Sequence, residues 1–72
     1  MSERFSLTPS YVVGNMSRMW TLYLKQGITR KDVATVAQVS ERAIRNYEDG
    51  KQYPSQKTYN KLAAFFGWEL WL

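Results

Sequence analysis

The sequence predicts an all-α fold of four to five short helices, on three observations. Apolar residues recur at three- and four-residue spacing in four separate segments. Each segment opens beside a residue suited to capping a helix, and a glycine or a fresh cap closes it. No run of strand length alternates apolar and polar residues.

The first helix is expected over about residues 9–26. Thr8 supplies a capping hydroxyl, Pro9 takes the first helical position that tolerates a missing N–H, and Val12, Met16, Met19, Trp20 and Tyr23 recur along one side. Gly27 stops it, with Lys25 placed where a cation suits the helix end. Thr29-Arg30-Lys31-Asp32 is a capping-box variant that starts a second helix at Arg30, with Val33, Ala34, Val36 and Ala37 inward. Ser40 is a new cap only a few residues later, so a third helix of about 41–49 follows, with Ile44 and Tyr47 inward and Asp49-Gly50 at its end. Pro54 forces the preceding residues into a loop. Ser55 caps a fourth helix of about 56–66, whose Tyr59, Leu62, Ala63 and Phe66 share a face, and Gly67 ends it. Core packing is the expectation for Trp20, Tyr23, Tyr47, Tyr59, Phe65 and Phe66. Lys57 and Lys61 are read as solvated, and Thr29, Asp32 and Ser55 as caps alone. One domain covers 1–72, with an arm at 1–8, a paired-helix core at 28–50 and an apolar tail at 68–72.

Composition narrows the function. The 72 residues contain no Cys and no His, which removes disulfides, thiolate metal sites, the commonest metal ligand and the commonest general base. The expectation is no enzyme, no metal, no cofactor and no small-molecule substrate. No apolar run is long enough to span a bilayer, and Met1-Ser2-Glu3-Arg4-Phe5 lacks the apolar stretch of a signal peptide, so a cytoplasmic location is expected. Ten Lys and Arg against six Asp and Glu give a formal +4, a weak pointer to polyanions.

The pair of short helices separated by about three residues is the pattern of a helix-turn-helix. Its positional demands are met in turn: small Ala34 where the helices cross, apolar Val39 at the turn, and β-branched Ile44 anchoring the second helix. Glu41, Arg42, Ala43, Arg45 and Asn46 are then left on the outer face, which could lie in a major groove. The stretch Ile28 to Gly50 resembles the Cro/phage-repressor type of helix-turn-helix, the XRE-like family. The likeness continues through Lys51, Pro54-Ser55 and Leu62-Ala63 to Phe66-Gly67. It covers about 28–67, and the composite of Val39-Ser40, Ile44, Tyr47-Glu48, Gly50 and Pro54-Ser55 is more specific than any one piece.

The resemblance implies a lambda-repressor-like DNA-binding domain that meets double-stranded operator DNA through its third helix, commonly as a dimer. It places Ser40, Glu41, Arg42 and Asn46 at base and nearby phosphate contacts, with Ala43 and Arg45 beside them. Arg30 and Lys51 fall at phosphate-contact positions. The chemistry fits: Arg42 matches guanine, Asn46 adenine and Glu41 the amino group of cytosine, each pairing worth about 1–3 kcal/mol of discrimination. Two departures stand out. Gln38 occupies the turn position where the family usually has Gly, and residues 40–49 carry Arg42 and Arg45 against Glu41, Glu48 and Asp49, a net −1.

That negative helix keeps a second class open, an antirepressor or modulator in a heterocomplex with a partner repressor, as in the modulator-of-repression proteins of phages that the chain also resembles in size and plan. On that reading Glu41, Glu48 and Asp49 are partner contacts. The tail Trp68-Glu69-Leu70-Trp71-Leu72 either folds onto the core or meets a second chain, making Trp68, Leu70, Trp71 and Leu72 candidate partner or homodimer contacts. An antitoxin or a lone structural module is the third reading.

Overall fold

The computed structural model describes residues 8–72. Residues 1–7 of the expected arm lie outside the described residues. Within them the chain forms four helices and no strand: α1 (Ser10–Gln26), α2 (Arg30–Ala37), α3 (Glu41–Asp49) and α4 (Gln56–Phe66).

The helix boundaries follow from local chemistry. Asp32 donates its backbone N–H to the Thr29 hydroxyl at 3.2 Å, and the Thr29 N–H returns a bond to the Asp32 carboxylate at 3.0 Å, closing the capping box of α2. Ser40 accepts from the Ala43 N–H and Ser55 from the Thr58 N–H, capping α3 and α4. Gly27, Gly50 and Gly67 all take positive φ at the helix ends. The start of α1 differs from expectation. Pro9, with ψ 146°, stands outside the helix as its N-cap, and no side chain among the described residues caps α1, so Thr8 does not have the capping role assigned to it.

α2 and α3 pack on each other, α1 crosses α3, and α4 packs on α2. The core is built from Val12, Met16 and Met19 of α1, Val33, Ala34 and Ala37 of α2, Ile44 and Tyr47 of α3, and Tyr59, Leu62 and Ala63 of α4. Two expected core aromatics are not in it: Trp20 is 53% exposed and Phe65 42%. Trp20 lies one residue, about 100° around the helix, beyond the buried Met19, and that step carries it off the packed stripe.

No further helix follows Gly67. The tail folds back, with Trp68 stacked on Phe66 and Tyr59, and Trp71 edge-on to Tyr59. Main-chain groups of the tail are held by side chains of α1 and α4. Tyr11 donates to the Leu70 carbonyl, Tyr59 to that of Glu69, and the Asn60 amide both accepts from the Trp71 N–H at 2.8 Å and donates to its carbonyl at 3.0 Å. Trp68 and Trp71 therefore cover the core from outside, while Leu70 and Leu72 remain exposed.

Candidate nucleic-acid interface

The outer face of α3 joins the N-terminus of α2 and the loop after α3 in one concavity of about 470 Å³, lined by Arg30, Glu41, Arg42, Arg45, Asn46, Asp49 and Lys51. Its placement follows from the α2–α3 turn. Gln38 adopts φ 60°, ψ 41°, a left-handed conformation, and its N–H closes the last carbonyls of α2. That single residue swings the chain so that Val39 packs against the core and Ser40 can begin α3. The Gln38 side chain accepts a hydrogen bond from the Lys61 ammonium, tying the turn to α4. At the far end of α3, the Gly50 and Lys51 N–H groups bond back to Tyr47 and Asn46, which turns Lys51 beside the helix end.

Six of the eight residues expected to meet DNA are thus brought together: Arg30, Glu41, Arg42, Arg45, Asn46 and Lys51. The other two are not in the lining. Ser40 spends its hydroxyl on the Ala43 N–H, and the Ala43 side chain is half-buried against the core. The cations of the lining, Arg30, Arg42, Arg45 and Lys51, exceed the carboxylates Glu41 and Asp49 by two. The net −1 of residues 40–49 is therefore not the charge of the surface.

Arg30 and Lys51 account for two of the three charges of that difference and Glu48 for the third. Its side chain is 6% exposed and points inward, where the carboxylate accepts from Arg30 Nε at 3.1 Å, Arg30 Nη2 at 2.9 Å and the Tyr23 hydroxyl at 2.5 Å. The assignment of Glu48 as a partner contact is corrected accordingly, since a buried carboxylate that accepts three hydrogen bonds within the domain is not displayed to a second protein. The hydrogen bond to Glu48 holds the Arg30 guanidinium even more firmly charged than usual, against a smaller opposing effect of burial. Burial, reinforced by Glu48, pushes the Tyr23 phenol well above the ordinary tyrosine range, so Tyr23 remains a donor.

Two contributors were not visible in the sequence as site residues. Tyr23 reads as a core aromatic, and Gln52 as loop, yet Gln52 Oε1 accepts from the Asn46 side-chain amide at 3.3 Å and orients a lining residue. No periodicity reports either contact, because the partners lie on different elements. Glu41 and Asp49 are exposed in the concavity, whereas Trp68 and Trp71 turn toward α4, so the residues proposed for a partner do not form one patch.

Fold and concavity together define a small helical module that presents a short, cation-flanked helix outward from a helix-turn-helix. A family model described as helix-turn-helix matches residues 21–70, and the chain belongs to this family, the Cro/repressor type of DNA-binding domain found in transcription regulators. No curated protein and no solved structure matches the chain. No helix among the described residues is long and apolar enough to cross a membrane.

Proposed function

We propose that this chain is a transcription regulator of the phage lysis–lysogeny switch type that reads operator DNA with α3 in the major groove. The observation that carries the proposal is the concavity in which Arg42, Arg45 and Asn46 of α3 share a lining with Arg30 and Lys51. Arg42 and Asn46 have the donor and acceptor sets that match guanine and adenine edges, and the neighbouring cations Arg30 and Lys51 suit backbone phosphates. The membership of the helix-turn-helix family supports the same use of α3. On this reading the protein works in the cytoplasm of a bacterial host. Two copies meet through the C-terminal end, where Phe65, Leu70 and Leu72 are exposed, and read two half-sites about 34–36 Å apart.

One observation favours a second reading. Glu41 and Asp49 are exposed carboxylates inside the same concavity, and a face of mixed charge also suits a basic protein surface such as that of a partner repressor. Fluorescence anisotropy against duplexes from the gene's own upstream region and a scrambled control, at low and near-physiological salt, separates the two. Sequence-selective binding that survives physiological salt supports the operator reader. Weak binding that ignores sequence and vanishes with salt rejects it in favour of the protein partner.

A further inference from the structure

The Tyr23–Glu48–Arg30 chain of hydrogen bonds links α1, α3 and α2 in that order, and only its last member reaches the concavity. An arginine carries five N–H donors in a planar fork. Two of Arg30's, on Nε and Nη2, are taken by the two Glu48 oxygens, which fixes the plane of the guanidinium and leaves three donors. The Arg30 side chain nonetheless stays 36% exposed, while Glu48 is buried beneath it. A bridge serving stability alone has no need to leave the cation open on the face that carries Arg42 and Lys51.

We propose that Glu48, itself fixed by Tyr23, is a positioning residue that aims Arg30 at a backbone phosphate. The inference rests on the DNA-binding reading above. Arg30 is then no generic charge, because Glu48 already neutralises it; its value lies in a guanidinium ordered before DNA arrives. Ordering one rotamer-rich side chain in advance is worth roughly threefold to tenfold in affinity. Because the contact is to phosphate, it acts on all sequences alike.

Glu48→Gln separates position from charge by the sign of its effect. The substitution keeps the side chain's shape but removes the buried negative charge that offsets Arg30, so a purely electrostatic Glu48 gives tighter DNA binding in the variant. A positioning Glu48 gives weaker binding, by roughly threefold to tenfold on operator and scrambled duplexes equally. In an Arg30→Ala background that loss disappears. Anisotropy titrations of the four proteins, with thermal unfolding to confirm that each is folded, read this out. Equal or tighter binding by E48Q overturns the proposal, as does a loss that persists without Arg30. Should E48Q fail to fold, Tyr23→Phe, which deletes one hydroxyl and changes no charge, is tested in the same two backgrounds. A loss that vanishes in Arg30→Ala supports the proposal, and no loss or a persistent one overturns it. Absence of binding to either duplex by the unmutated chain overturns the DNA reading and this proposal together, whereas selective binding combined with a tighter E48Q overturns this proposal alone.

Discussion

Gln38 is the one described residue other than glycine with positive φ, and it stands at the corner on which the orientation of α3 depends. A side chain there costs about 1 kcal/mol or more in backbone strain, which glycine does not incur. Gln38→Gly is expected to stabilise the domain by about 0.5–1 kcal/mol, because the hydrogen bond lost from Lys61 is exposed and offsets only part of the gain. Thermal unfolding should show a midpoint higher by several degrees, and a lower one would mean that the tie to α4 outweighs the strain. Arg42 makes no hydrogen bond or ion pair to any described residue, and its guanidinium is exposed in the concavity. Arg42→Ala should therefore lose about 1–3 kcal/mol on the preferred operator and little on a scrambled one. Lys51→Ala should instead weaken both duplexes alike and reduce the salt slope by about one; equal loss on both duplexes for Arg42→Ala would remove it from the base-reading set. At this scale the sequence was legible wherever a side chain acts on its own neighbourhood. Thr29, Ser40 and Ser55 cap the helices they precede because the donors they satisfy lie three residues on. Glu48 was misread because its partners are 18 and 25 residues away on other helices.

Each helix was legible from its apolar spacing, but the width of the buried stripe was not. Spacing alone admits Trp20 beside Met19 and Phe65 beside Phe66. Tertiary packing on α3 and α2 then decides that Met19 is buried and that Trp20 and Phe65 face out. The tail shows the same limit in the other direction. Its four apolar residues suggested either core cover or a partner surface, and what settles the posture of Trp68 and Trp71 is a set of main-chain bonds from Tyr11, Tyr59 and Asn60, which no pattern of hydrophobicity encodes. α1 also carries a test of its own. Gly14 sits inside this 17-residue helix, and among the described residues a Cβ added there would meet only Arg18 Nη2, at 3.8 Å, an ordinary contact with the end of a flexible side chain. Gly14→Ala should thus stabilise the domain by about 0.5–1 kcal/mol through helix propensity and reduced freedom of the unfolded chain. Chemical denaturation with an unchanged m-value and a higher midpoint is the expected result. A destabilised variant would show that the face of α1 at Gly14 is closed by something other than Arg18.

Across the whole molecule, charge and burial lead to different kinds of conclusion. The sign of residues 40–49 was read correctly as a stretch of chain and wrongly as a surface, because folding removes Glu48 from the face and adds Arg30 and Lys51 to it. Burial instead concentrates titratable phenols in and around the core. Tyr23, Tyr47 and Tyr59 all have pKa values raised, in each case chiefly by burial, and the chain has no histidine to titrate near neutrality. A tyrosine in the unfolded chain loses its proton near pH 10. The folded state keeps these three protonated to higher pH, so above about pH 10 it binds more protons than the unfolded state, and stability falls as pH rises. Their contribution is fully present below that point and is lost progressively through the raised folded values. Helicity by circular dichroism should accordingly hold steady from neutrality to about pH 10 and then collapse cooperatively, in step with tyrosinate absorbance from the buried phenols. Because Tyr23 and Tyr59 also donate hydrogen bonds, to Glu48 and to the Glu69 carbonyl, ionising either one breaks a link between elements as well as placing charge beside the core. Full ionisation of the tyrosines with helicity intact would show that these phenols reach solvent without unfolding and would remove them as the alkaline limit of the fold.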